Sequence, residues 1–205
     1  MTDIKPTRSE LIKLKNKIKL AKLGYKLLKK KRDGLILEFF EILKKTKSVR
    51  QEMIEKYREA IKKINVARIL DGDIVIKSVS MAIKDKPMIN VENKNLMGVL
   101  VPKINSQNIR KTAKTRGYGL VTTSAAIVEA SEAYEELLEY IIIVAEIETA
   151  MIRLLKEIDK TKRRVNALEF EVIPKLEKTK SFIQLRLEEL ERETIFRSKR
   201  IKKKR

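Results

Sequence analysis

The stretch Leu11-Ile-Lys-Leu14-Lys-Asn-Lys-Ile18-Lys-Leu-Ala21-Lys-Leu-Gly-Tyr25-Lys-Leu-Leu28 decides the fold. Along it a small or apolar residue recurs at alternating steps of three and four: Leu11, Leu14, Ile18, Ala21, Tyr25 and Leu28. The series lapses at Arg32, resumes at Leu35, Phe39 and Ile42, lapses again at Thr46 and returns at Val49 and Met53. A second series runs Ile127, Ala130, Tyr134, Leu137, Ile141 and Val144, then Met151, Leu155 and Ile158. A step averaging about 3.5 residues keeps one narrow seam on one side of a helix. Such a seam has no core of its own, and its simplest cover is the other stretch folded back upon it. The expected fold is mainly α: a long antiparallel two-helix coiled coil with a small β-hairpin head at the turn.

Composition agrees. Of 205 residues, 37% are charged and only 5% aromatic, too few large rings for a many-layered interior. There is no cysteine, which excludes disulfides and fits a reducing compartment. There is no histidine either, so the usual zinc, iron and copper sites and the usual acid/base and thiol chemistries lack their residues. The longest apolar run, Ile141 to Ala145, is far below the roughly 18 residues that suggest a membrane span. The opening Met1-Thr-Asp-Ile-Lys-Pro6 lacks a signal peptide's apolar stretch, so the expectation is a soluble chain carried to any membrane by partners.

The net charge of +20 is unevenly spread. Residues 1–50 hold 16 Lys/Arg against 5 Asp/Glu, and residues 196–205 hold 7 Lys/Arg and no acid. Residues 117–159 reverse the balance, with 9 Asp/Glu against 2 Lys/Arg. An antiparallel pair puts both basic ends at one tip, which would be drawn to an acidic ring, groove or polyanion.

Three regions follow: a first coiled-coil helix over 1–70, a head over 71–121, and a second helix with a basic tail over 122–205. Thr7-Arg-Ser-Glu10 is a capping box at the start of the first helix, and Asp71-Gly-Asp73 ends it. In the head, Ile74 to Ile83 and Leu96 to Ile104 read as strands, with turn chemistry at Asp85-Lys-Pro and Asn90 to Asn95. Pro102 is tolerable there only at an edge or end. One of Thr122, Thr123 or Ser124 should cap the second helix. That helix should run to about Ser198, with Pro174 producing a kink near Ile173 where the seam also shifts its step.

Catalytic signatures are missing. No Gly-x-x-x-x-Gly-Lys-Ser/Thr loop and no Gly-x-Gly-x-x-Gly after a strand occurs, and no cofactor is expected. The carboxylate pairs Glu135-Glu136 and Glu188-Glu189 are consecutive helix residues that point apart, so they read as solvated faces.

Particular strings then become recognisable. Pro6-Thr-Arg-Ser-Glu-Leu11, Lys19-Leu-Ala-Lys-Leu-Gly-Tyr-Lys-Leu-Leu-Lys-Lys-Lys-Arg-Asp33, Arg163-Arg-Val-Asn-Ala-Leu-Glu-Phe-Glu-Val-Ile-Pro-Lys-Leu176 and Phe196-Arg-Ser-Lys-Arg-Ile-Lys-Lys-Lys204 resemble the D subunit of the archaeal A-type and vacuolar-type rotary ATPases. Residues 72–116 match that family by position and character more than by residues. The resemblance implies a non-catalytic central-stalk rotor that couples ATP synthesis or hydrolysis to proton or sodium translocation. Its partners would be the alternating A and B subunits of the catalytic ring, the small F subunit, and a funnel-shaped C subunit that sits above the membrane ring. It would lie, peripherally, at the cytoplasmic face of the cell membrane.

On that basis Lys13, Lys17, Arg197, Lys199 and Arg200 are candidates for contact with the ring. Met53, Tyr57, Tyr134, Glu135 and Tyr140 are candidates for contact with the F subunit. Ile74, Ile76, Val79, Leu96, Val99 and Val101 form the expected membrane-proximal head. A basic coiled coil that binds nucleic acid, and a free-standing scaffold, remain the alternatives from other classes. An isolated chain would leave partner surfaces free for self-association.

Overall fold

The computed structural model describes residues 6–83, 87–107, 109–112, 116–119 and 123–203. Helix α1 spans Arg8–Asp71 and a short α2 spans Asp73–Ala82. Strands β1 (Met88–Leu96) and β2 (Val99–Gln107) follow, and then α3 (Ala125–Ala167). A π-helical turn, Leu168–Val172, leads into α4 (Ile173–Lys202). The expected class is present: two long helical stretches flank a two-stranded antiparallel hairpin.

Local chemistry explains the boundaries. Thr7 Oγ1 accepts the Glu10 backbone N–H at 3.3 Å, satisfying one of the free donors at the start of α1. Gly72, at φ 81°, takes a backbone conformation that side chains resist and divides α1 from α2. Ser124 Oγ accepts the Ala126 N–H at 3.2 Å and caps α3; Thr122 lies outside the described residues.

The chain divides into two compact units, one formed by residues up to Gly34 with those from Ile158 onward, the other by Leu35–Glu157. In the first, Leu14 and Ile18 bury against Ile183, with Leu11, Leu176 and Leu187 around them. Ion pairs Arg8–Glu191 and Lys22–Glu177 flank that cluster, and their opposed numbering makes α1 and α4 antiparallel there. In the second unit, Ala60 packs on Ala133 and Leu137, with Met53 beside them. Arg50–Glu148 and Lys56–Glu136 again run in opposite directions.

Seam positions on α1 keep their rhythm. Leu14, Ile18 and Leu35 are buried, and Leu11, Tyr25, Leu28, Phe39, Ile42 and Val49 are half-buried. The two lapses belong to the same series. Thr46 is buried with its hydroxyl donating to Ile42 O at 2.8 Å, and Arg32 is half-buried and paired with Asp33. On the return helices Leu137 and Val144 are buried, and Met151 and Ile158 are half-buried. Ile141 and Leu155, however, are 41% and 42% exposed, and Leu154 is 0% exposed in their place. The second row of that seam runs one residue earlier, through Ala133, Tyr140, Ile147, Leu154 and Thr161. Ala133 and Thr161 carry little hydrophobic signal, so the larger neighbours Tyr134, Ile141 and Leu155 drew the sequence reading to the wrong row.

The head also departs from expectation. Ile74, Ile76 and Val79 lie on a helix, not a strand. Ile76, Val79 and Ile83, three and four residues apart, line a recess of about 350 Å³ with Ile64, Ile127, Ala130 and Leu138. Partial cover of Ile76 and Val79 at helical spacing outweighs β-branched propensity, which is only a weak prior. The Asn-rich segment read as a turn is β1, while the turn is Met97-Gly98, with φ 49° and 85°. Two successive positive φ values mark the tight hairpin turn whose twist matches the strands, and Asn95 Oδ1 accepts the Gly98 N–H at 2.8 Å. Every residue of β1 before Leu96 is exposed, so burial left no pattern in its sequence.

Pro174 follows a π-helical turn in which the Ile173 N–H bonds to Leu168 O, five residues back. The expected disturbance is therefore a one-residue insertion placed just before the proline.

Two changes test this packing. Leu154→Ala should lower unfolding stability by about 3 kcal/mol and Leu155→Ala by under about 1 kcal/mol in urea titration, because only the first opens a cavity. Nothing lies within 4 Å of a Cβ added at Gly24. Gly24→Ala should therefore raise stability by about 1 kcal/mol in the same measurement.

Candidate functional site

Three surfaces carry the candidate residues. At the basic end Lys13, Lys17, Arg197, Lys199 and Arg200 are all exposed. Lys13 and Lys17 share one groove with Glu10, Glu171, Lys175 and Thr179, spanning α1 and the start of α4. The Lys13 ammonium bonds to Glu10 Oε1 at 2.9 Å and holds that carboxyl below its usual range, chiefly through the hydrogen bond. Arg197, Lys199 and Arg200 sit elsewhere, on the last turns of α4. Since Arg8 of α1 pairs with Glu191, those turns extend past the start of α1. All of 188–203 is exposed there, including Leu190, Ile195, Phe196 and Ile201. The sequence reading took the charges of this end and missed its apolar residues. The signal was available: helix α1 starts too late to cover them.

The acidic stretch of α3 is engaged within its own unit. Arg116, with only 3% of its side chain exposed, donates to Glu135 Oε1 and Oε2 at 2.9 and 3.1 Å. The Lys111 N–H adds a third bond to Glu135 at 3.2 Å. Hydrogen bonding to Glu135 raises the Arg116 pKa further despite burial. Arg110 grips Glu139 through two bonds of 2.9 and 2.8 Å, and Ile104 N–H donates to Glu146 at 2.9 Å. Lys56 bonds Glu136 at 3.1 Å, which raises the lysine pKa. These carboxylates fasten the loop, the hairpin and α1 to α3. Sequence reasoning treated them as solvated or partner-facing, because their cations lie 19 to 80 residues away.

Of the middle candidates, Glu135 is thus occupied internally, Met53 packs in the alanine cluster, and Tyr140 is half-buried. Tyr57 is open, and Tyr134 borders the apolar recess. In the head, Val99 and Val101 are buried and Leu96 half-buried, while Ile74 is 85% exposed. Ile69, Leu70 and Met81, not singled out from sequence, are exposed beside it in the chain.

Among the described residues no group of three or more acidic, His or Cys side chains could hold a metal ion. No described helix is long and apolar enough to cross a membrane. The geometry defines a protein of long paired helices with a clamped hairpin and exposed charged and apolar surfaces.

Comparison with known proteins agrees. A family model for the D subunit of ATP synthase matches residues 10–203. The chain is 60% identical over 201 residues to the A-type ATP synthase D subunit of Methanococcoides burtonii, covering 98% of each. It is 55% identical to the protein of the same name from Methanosarcina acetivorans, covering 98% of this chain and 96% of that one. For the namesake in Haloarcula marismortui identity is 50%, with 98% and 88% covered. The chain belongs to the family of ATP synthase D subunits, stalk components of the rotary ATPase that are not themselves catalytic.

Two outcomes follow for the clamps. Arg116→Met should cost about 3 kcal/mol by leaving the Glu135 carboxylate unpaired, and adding Glu135→Leu should recover most of it. Hydrogen exchange in 109–119 and urea unfolding both report this. Glu10 and Glu59 are held below the ordinary value of 4.5 by hydrogen bonds from Lys13 and Lys63. A lowered carboxyl stabilises the fold above its unfolded pKa and loses that contribution as pH falls through the folded value. Thermal midpoints should therefore drop on acidification from about pH 6 to about pH 3, and by less in the Glu10→Gln, Glu59→Gln variant.

Proposed function

We propose that this chain is the rotor shaft of an A-type rotary ATPase, seated end-first in a ring of A and B subunits. The small F subunit lies along its middle and the funnel-shaped C subunit meets its head, at the cytoplasmic face of the membrane. The observation that supports this best is the lone end of α4. It continues past the start of α1 as an exposed helix carrying Arg197, Lys199 and Arg200 beside Leu190, Ile195, Phe196 and Ile201. A surface of that kind suits a socket that supplies both acidic groups and apolar cover. Cations in the last turn are also favoured by the helix dipole.

Torque requires a shaft that pushes without locking. Solvent-facing ion pairs contribute only about 0–1 kcal/mol each, so a charged flank gives contacts that exchange as the shaft turns. Two helices of different length and sequence lack three-fold symmetry. Each of three ring positions therefore meets a different face, and differential contact shifts each toward a different state. The nucleic-acid reading has less behind it, since the family match over residues 10–203 favours the rotary ATPase.

Reversing Lys13, Lys17, Arg197, Lys199 and Arg200 to Glu together should weaken assembly with the A and B ring by at least about tenfold at low salt, read by co-purification. Unchanged assembly rejects the proposed seat. Crosslinks from the F subunit should fall on Tyr57 and Tyr134; crosslinks confined to Arg197–Lys202 would contradict its placement.

A further inference from the structure

The hairpin has two edges, and the chain treats them differently. On β2, Ile104 N–H donates to Glu146 at 2.9 Å, and Leu100 O accepts from Arg153 Nη1 at 2.7 Å. The even-numbered residues of β2 therefore direct their backbone groups away from β1. Pro102 falls in the same row and has no N–H to offer. That edge is covered and blunted.

The register pairs Leu100 with Asn95, Pro102 with Asn93 and Ile104 with Val91. By the alternation of an antiparallel ladder, Val91, Asn93 and Asn95 turn their N–H and C=O groups to the outer edge of β1. Among the described residues no hydrogen bond reaches the backbone groups of Ile89, Val91 or Asn93. All three residues are exposed, and the nine-residue strand contains no proline. An edge of this kind templates another strand unless charge or shape prevents it.

The charges here are Glu92 and Lys94, one on each side of Asn93. We infer that the β1 edge pairs with the β1 edge of a second copy of this chain, antiparallel and centred on Asn93. In that register Val91 lies opposite Asn95 and Asn93 opposite itself, so outward-facing groups meet outward-facing groups. Glu92 then lies opposite Lys94 of the second copy, twice by symmetry, at the closer, non-hydrogen-bonded pair spacing. A shift either way places Glu92 against Glu92 or Lys94 against Lys94, which like-charge repulsion disfavours. Within its own hairpin Glu92 already faces Lys103. The assembled row therefore alternates Lys103, Glu92 and Lys94 of the second copy. Pairing yields a four-stranded sheet and occupies the open edge in the free chain, independently of any role as a shaft.

Sedimentation velocity of the purified full chain over a concentration series tests this. The wild type should show a concentration-dependent dimer. Glu92→Lys and Lys94→Glu should each weaken it about tenfold, because each sets two like pairs in place of two opposite ones. An equimolar mixture of those two variants should regain near wild-type affinity as a heterodimer, which no loss of folding could produce. Asn93→Pro, which removes an outward N–H as Pro102 does on β2, should abolish the dimer with helical circular dichroism unchanged. A wild type that stays monomeric throughout, or a mixture no tighter than its parts, overturns the inference and leaves the shaft reading untouched.

Discussion

A two-helix coil has one interface, and every other feature of this chain answers to that constraint. Away from α2 and the hairpin, no second layer covers a residue that the seam fails to bury. Each seam side chain depends on the opposite helix for cover, and Leu35 and Leu154 are left with no residual exposure. The same constraint governs polar intrusions. A hydroxyl in the seam has no neighbouring layer to bond with, so Thr46 donates to the carbonyl one turn back in its own helix. Arg32 keeps part of its side chain in the seam and turns its head to Asp33. In the unit that carries the hairpin, alanines at 60, 67, 130 and 133 are buried, and Ala60 packs on Ala133.

That same unit resolves the charge asymmetry. The surplus of acid on α3 reads from sequence as a face for solvent or for a partner. In the fold Glu135, Glu136, Glu139 and Glu146 each hold a cation or a backbone N–H from elsewhere in the unit. A two-stranded hairpin is marginal in water by itself. It persists here because α3 supplies hydrogen-bond partners along one edge, and Val99 and Val101 are buried. The most buried of these links, Arg116 to Glu135, places a guanidinium where desolvation disfavours charge, and the paired carboxylate outweighs that penalty.

How much of this was legible depends on range. The heptad rhythm, the Thr7 cap, the Ser124 cap and the break at Gly72 are all local, and the chain announces each within a few residues. The strand β1 was not legible. It buries nothing, so its Asn and Lys carry turn propensity with no periodicity to contradict it. Nor was α2: Ile76, Val79 and Ile83 are β-branched, and only the recess formed by distant Ile64 and Ile127 makes their helical spacing meaningful. The row through Ala133, Leu154 and Thr161 was hidden by larger neighbours one residue on. The clamps on α3 join residues too far apart for spacing to reveal, and the exposed apolar end of α4 shows itself only once the start of α1 is placed.

The π-helical turn at Leu168–Val172 reconciles a proline with an uninterrupted seam. Pro174 cannot donate a hydrogen bond, and its ring crowds the carbonyl four residues earlier. In a strict α-helix that carbonyl, at Phe170, would be pushed aside and the axis bent. Widening the preceding turn by one residue sends the Ile173 N–H to Leu168 instead, and rotates everything that follows by about 100° around the axis. A rotation of that size would carry an unbroken heptad off its interface. The sequence compensates by changing its apolar step in the same place, so that Val165 before the turn and Ile183 after it are both fully buried. The shifted step and the proline are therefore one adaptation: the inserted residue relieves the ring, and the altered spacing returns the downstream face to α1.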